Sequence, residues 1–168
     1  KQNTVVSIHL APTAGGTHLT LDHDQLPEHL GFHLESFWSL SLENLRSFVE
    51  RSQEGLRCDF SQNASEVLQL STEIRATPST VFDALTNPAQ LARYTSPNAE
   101  VDTERSIYDF HFGDNLGPKK ILELEPNHTL SHDWHFPDEA ESVVTWTCEE
   151  LSEGTRLTIV HSGFAKGR

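Results

Sequence analysis

At 168 residues, 36% of them apolar and 8% aromatic, the chain can bury a core for one compact domain or slightly more and is too apolar to be disordered. Its net charge of −13, from 25 acidic against 12 basic residues, is spread along the chain and would repel a nucleic-acid duplex or an anionic membrane. No apolar run is long enough to span a bilayer, no secretory signal is recognisable, and Cys58 and Cys148 make no disulfide framework, so a reduced cytoplasmic setting is expected.

Residues 5–23 alternate apolar and polar side chains on both sides of a Gly-containing turn, which predicts a hairpin. Pro27 to Gly31 is a turn region. From Phe32 to Arg51, apolar residues recur at Leu34, Phe37, Trp38, Leu45, Phe48 and Val49, with small Ser41 among them. This is helical spacing with one wide apolar face, stopped near Gly55, and a helix of about 30 Å. Residues 52–65 are polar and irregular, as suits a linker. Leu68, Leu70, Thr72, Ile74 and Ala76 then alternate with polar residues as one buried face of a strand. Thr77-Pro78 is a helix start, with threonine as N-cap and proline at the first helical position. Short helices are expected at 78–86 and 88–94, separated by Asn87-Pro88. After them the pattern is all strand: Tyr108/Phe110/Phe112, Leu122/Leu124, Leu130/His132/Trp134/Phe136, Val144/Trp146/Cys148 and Leu157/Ile159/His161, each set on one face.

The chain also repeats itself. Residues 5–23 laid over 143–161, at an offset of 138 and without a gap, agree at seven of nineteen positions: Val5/Val143, Val6/Val144, Gly16/Gly154, Thr17/Thr155, Leu19/Leu157, Thr20/Thr158 and His23/His161. Such a period is the length of a domain rather than of a solenoid unit. The expected organisation is therefore a tandem one. Residues 1–56 would supply the final hairpin and long helix of one module, and residues 57–168 the first strand, short helices and remaining strands of a second. The two parts could combine into one compact unit.

The stretches IRATPSTVFDALTNPAQL (74–91), KKILELEPNHTLSHDW (119–134) and VVTWTCEELSEGTRLTIVHSGF (143–164) resemble the activator-of-heat-shock-ATPase-like branch of the SRPBCC superfamily. Residues 5–51 resemble the same family's last hairpin and closing helix. Two departures stand out: Tyr94 occupies a place where the family usually has Trp, and Thr103-Glu104-Arg105-Ser106 replaces a Gly-rich turn. The resemblance implies an α+β fold of helix-grip type, also called START-like or birch-pollen-allergen-like. In it a curved antiparallel sheet grips a long helix and carries two short ones. It also implies a functionally mixed group that includes co-chaperones, ligand carriers and stress proteins.

No catalytic constellation is legible, so an enzyme is not expected. There is no G-x-S-x-G elbow, and GDNLG (113–117) joins strands rather than opening a helix, so it is no phosphate loop. His132 and His135 fall on opposite faces of a strand, and no metal or cofactor is expected. Strand parity instead collects Tyr108, Phe110, Leu122, Leu124, Trp134, Trp146, Leu157 and Ile159 on one face, joined by Trp38 from the long helix. His132 and His161 lie on that face too. Each is either a polar anchor in an apolar pocket or a core histidine satisfied by a backbone carbonyl, and the balance favours the core reading. The expected function is the binding of a lipid-like or aromatic small molecule, with a co-chaperone-like module acting on a chaperone ATPase as the alternative. At the offset of 138, the counterpart of helix 32–51 would fall at 170–189. The second sheet therefore lacks its own helix, and helix 32–51 is expected to cover it, within the chain or by self-association.

Overall fold

The computed structural model describes residues 3–27, 31–55 and 67–164. Cys58, His29 and linker residues 56–65 lie outside the described residues. The chain divides into two compact units, residues 1–62 and 63–168.

The first unit is a hairpin and a helix. Strands β1 (Val5–Thr13) and β2 (Gly16–Asp24) pair antiparallel from Val5↔Asp24 to Thr13↔Gly16 around a two-residue turn. Helix α1 spans Gly31–Arg51. It ends at Arg51, where the apolar spacing ends it, and Ser52, at a φ of 54°, turns the chain out of the helix before Gly55 is reached. Leu34, Phe37 and Trp38, in its N-terminal half, are half-buried. Leu45, Phe48 and Val49, on the same expected apolar face, are exposed.

In the second unit, β3 (Val67–Ile74), β6 (Ile121–Glu125), β7 (Thr129–Trp134), β8 (Ser142–Leu151) and β9 (Gly154–Ser162) form a sheet in the order β3-β9-β8-β7-β6. All its pairings are antiparallel. Two helices follow β3. Helix α2 (Pro78–Thr86) starts as its sequence dictates: Thr80 N–H donates to Thr77 Oγ1 at 3.3 Å and Pro78 takes the first turn. Its apolar stripe, Val81, Phe82 and Leu85, is buried. Asn87 serves both helices, closing α2 through Asp83 O and capping α3 (Pro88–Leu91) by accepting Ala89 N–H at 3.0 Å. Helix α3 stops at Leu91, short of the expected 94.

The expectation of a single sheet over 66–164 needs correction. Strands β4 (Glu100–Asp102), which the sequence pattern did not reveal, and β5 (Ile107–Asp109) form a separate ribbon. The ribbon is tied to the segment before β6 by the bridge Ile107↔Lys120 and the bond Tyr108 N–H to Lys119 O at 3.1 Å. The strand expected through Phe112 breaks after Asp109. Its carboxylate accepts His111 N–H at 2.7 Å while His111 sits at a φ of 52°, so a local side-chain bond displaces the ladder bond.

A second correction concerns Leu122. The β6–β7 register runs Ile121↔His132 and then Glu123↔Ser131, so β6 carries one extra residue. Such a bulge reverses the parity of the strand beyond it. Ile121 and Leu124 both turn inward, and Leu122 is 49% exposed.

The core of the unit gathers Val81, Phe82, Leu85, Leu91, Tyr108, Phe110, Leu130 and Cys148 between the short helices and the sheet's inner face. Cys148 is a free, buried thiol. Among the described residues, no helix is long and apolar enough to cross a membrane.

Candidate functional site

Cross-strand pairing fixes the inner face in rows. One row runs Ile121–His132–Val144–His161–Leu68 and the next Leu124–Leu130–Trp146–Ile159–Leu70. Directly paired residues share a face, so the two histidines stand two strands apart on one surface with Val144 between them. Facing part of that surface, α2, α3 and the segment after β5 leave an apolar hollow of about 350 Å³.

Six of the eleven sequence candidates line the hollow: Tyr108, Phe110, Trp134, Trp146, Ile159 and His161. Leu124 and Leu157 pack against the core instead. Leu122 is carried to the surface by the bulge. Trp38 belongs to the first unit, where with Leu21, His23, Leu26, Leu34 and Leu42 it borders a separate hollow of about 430 Å³.

Residues not singled out from the sequence complete the wall: Leu85 and Leu91 from the helices, Tyr94 from the turn after α3, and Phe112, Phe136 and Val144 from the strands and loops. Phe136 and Val144 share parity with Trp134 and Trp146, and that signal could have found them. The helical residues come from a different element, and no strand pattern reaches them.

The two histidines differ in depth. His132 is 1% exposed, and both its ring nitrogens are used: Nδ1–H donates to Asp133 O at 2.7 Å and Nε2 accepts Trp146 Nε1–H at 3.1 Å. Tyr108 lies against it at 4.8 Å between ring centroids. Burial pushes the His132 pKa from 6.5 down to about 4 and raises that of the Tyr108 phenol, so both rings are neutral at physiological pH. His132 is therefore a satisfied core histidine.

His161 is half-buried and opens on the hollow. Phe136 stacks on it at 6.2 Å, Phe164 packs at 4.4 Å, and Trp134 meets it edge-on at 5.9 Å. Burial lowers its pKa as well. Its Nε2 is 2.8 Å from Ser142 Oγ, and Ser142 Oγ–H donates to Trp134 O at 3.2 Å. A hydroxyl has one proton, so Ser142 accepts from His161 Nε2–H. This serine–histidine pair is no activated nucleophile: the hydroxyl proton goes to a carbonyl, and Ser142 is 1% exposed. Trp134 Nε1–H, buried in the wall, finds no acceptor among the described residues.

Asp133, on the other face of β7, holds the returning loop. Its Oδ1 accepts the backbone N–H groups of Lys119 and Lys120 at 2.6 and 2.7 Å, and its Oδ2 is 3.0 Å from His135 Nε2. A carboxylate oxygen of Glu141 lies within 4.8 Å of a ligating atom of each of these two groups, a third possible metal ligand. The loop-anchoring bonds account for Asp133 and His135 without an ion.

Residues 75–168 match the family described as Activator of Hsp90 ATPase homolog 1-like protein. No curated protein matches the sequence. Among solved structures, an Hsp90 activator from Plasmodium falciparum is 24% identical and aligns over 59% of this chain and 74% of its own, with a TM-score of 0.51. A protein from Mesorhizobium loti is 24% identical over 59% of this chain and 77% of its own, with a TM-score of 0.49. An AHSA1-like protein from Rhizobium etli is 25% identical over 58% and 65%, with a TM-score of 0.48. The α+β, helix-grip class of fold read from the sequence agrees with this likeness. With its match extending over more than half its length, the chain belongs to the Activator of Hsp90 ATPase homolog 1-like family.

Proposed function

We propose that the second unit is a binding module whose hollow takes a lipid-like or aromatic small molecule, and that the protein is not an enzyme. The observation that carries this reading is the hollow itself. A space of about 350 Å³ walled by Tyr108, Phe110, Phe112, Trp134, Phe136 and Trp146 is within the size range of ligand pockets and has their chemistry, aromatic walls around a few polar groups. Its row of inward side chains continues onto Leu68 and Leu70 of β3, which are exposed, so the apolar surface extends beyond the wall.

The test is titration of the full chain with an environment-sensitive aromatic dye, followed by displacement with fatty acids and aromatic compounds. Saturable binding that falls in Trp146→Ala is expected; dye binding unaffected by that change would reject the hollow as the site. A second reading, an interaction module acting on a chaperone ATPase or on a second copy of the chain, draws on the family and on Leu45, Phe48 and Val49 of α1. These three are 47, 59 and 71% exposed, an apolar stripe of the kind protein partners cover. An effect on Hsp90 ATPase turnover that disappears in Phe48→Ser would favour it.

A further inference from the structure

The two hairpins of this chain are built to one register. Val6 pairs with His23 in the first unit and Val144 with His161 in the second, an offset of 138 at both positions. The offset also relates the groups around the histidines. Thr4 Oγ1 lies 3.0 Å from His23 Nε2, and Ser142 Oγ lies 2.8 Å from His161 Nε2. In the first unit, Trp38 Nε1–H donates to His23 Nδ1 at 3.0 Å, the rings meeting edge-on at 6.0 Å. A nitrogen that accepts carries a lone pair, so neutral His23 is protonated on Nε2. His161 reaches the same tautomer by a different route, since Ser142 spends its proton on Trp134 O and leaves Nε2–H as the donor. Its Nδ1 is therefore the accepting nitrogen of a residue that lines the hollow, and among the described residues nothing donates to it.

We infer that His161 Nδ1 is the polar anchor of the hollow and that its ligand is an aromatic molecule carrying a hydrogen-bond donor on its rim, an N–H or O–H on a ring system of about indole size. This rests on the binding function proposed above and specifies the ligand's chemistry. The first unit displays the contact in full: an indole N–H on the Nδ1 of the register-equivalent histidine. The aromatic wall of the second unit, with Trp134 and Phe136 beside His161, suits a flat ring. A ligand without the donor would leave the acceptor desolvated and unpaired, which disfavours it against one that pairs.

The experiment titrates the full chain with indole and with 1-methylindole, which keeps the rings and loses the donor. Affinities come from calorimetry, and the imidazole nitrogen resonances of His161 report the site. Indole is expected to bind about fivefold more tightly, the order of one neutral hydrogen bond, and to shift the His161 Nδ1 resonance where 1-methylindole does not. In His161→Phe the two compounds should bind alike, with the affinity for 1-methylindole retained as the sign of an intact hollow. Equal affinities in the wild type, or a preference that survives in His161→Phe, would overturn the anchor and leave the binding module standing. Binding of the fatty acids but of neither indole would do the same. Failure of every compound, dye included, would remove both. Should His161→Phe not fold, the wild-type affinity ratio and nitrogen shift decide the matter alone.

Discussion

His132 makes the stability of this protein depend on pH in a window that can be calculated. The ring is native in its neutral form, with one nitrogen donating to Asp133 O and the other accepting from Trp146. Its pKa is about 4 in the fold against 6.5 for a free histidine. Between those values the unfolded chain binds a proton at this position and the folded chain does not, so acid favours unfolding. The stabilisation is complete above pH 6.5 and is lost as the pH falls towards 4. At about 1.4 kcal/mol per pH unit, the interval corresponds to about 3 kcal/mol, a large part of the stability of a small domain. The perturbation is His132→Gln, which keeps hydrogen-bonding capacity and does not titrate. Urea unfolding of both proteins near neutral pH and at about pH 4 gives two stability differences. All other ionisable groups are common to both chains and cancel. The wild type should lose about 3 kcal/mol relative to the variant on acidification. A difference that stays constant across that range would refute the burial argument.

Three further outcomes follow from the packing. Tyr108→Phe removes the bond from Tyr108 Oη to Leu85 O, 2.9 Å long and at a residue 1% exposed. The urea midpoint should fall by the equivalent of about 1–2 kcal/mol with no change in slope. Gly154→Ala places a Cβ 2.2 Å from Ile74 O at a φ of 139°, and β3 cannot retreat because it pairs with β9 there. It should cost at least about 2 kcal/mol, whereas Gly16→Ala at the matching position of the first hairpin, with nothing within 4 Å, should stay within about 0.5 kcal/mol, both read by thermal melts. Thr77→Ala removes the cap of α2 and should lower stability by about 1 kcal/mol in the same assay.

What the amino-acid sequence determined by itself is local. The Thr77-Pro78 start of α2, the Asn87-Pro88 junction, the alternation in β7 to β9 and the common form of the two hairpins depend on neighbours within a few residues. Caps, turns and strand period are read at that range. Parity likewise assigned faces correctly for Trp134, Trp146 and Ile159, but the buried face expected of β3 is not buried: Leu68, Leu70 and Thr72 are exposed on that edge strand. Parity itself failed at Leu122, where one inserted residue reverses the faces. Strand β5 stops short at Asp109, whose carboxylate takes the His111 N–H, although Phe112 still lines the hollow with Tyr108 and Phe110. Parity also says nothing of depth. His132 and His161 lie in the same cross-strand row, yet Trp146 and Tyr108 close over the first while the second opens on the hollow. That distinction, and the wall supplied by Leu85 and Leu91 of the helices and Tyr94 of the turn after them, belonged to the tertiary structure alone. It comes from packing between elements remote in sequence, and a periodic pattern within one element carries no record of what is laid against it.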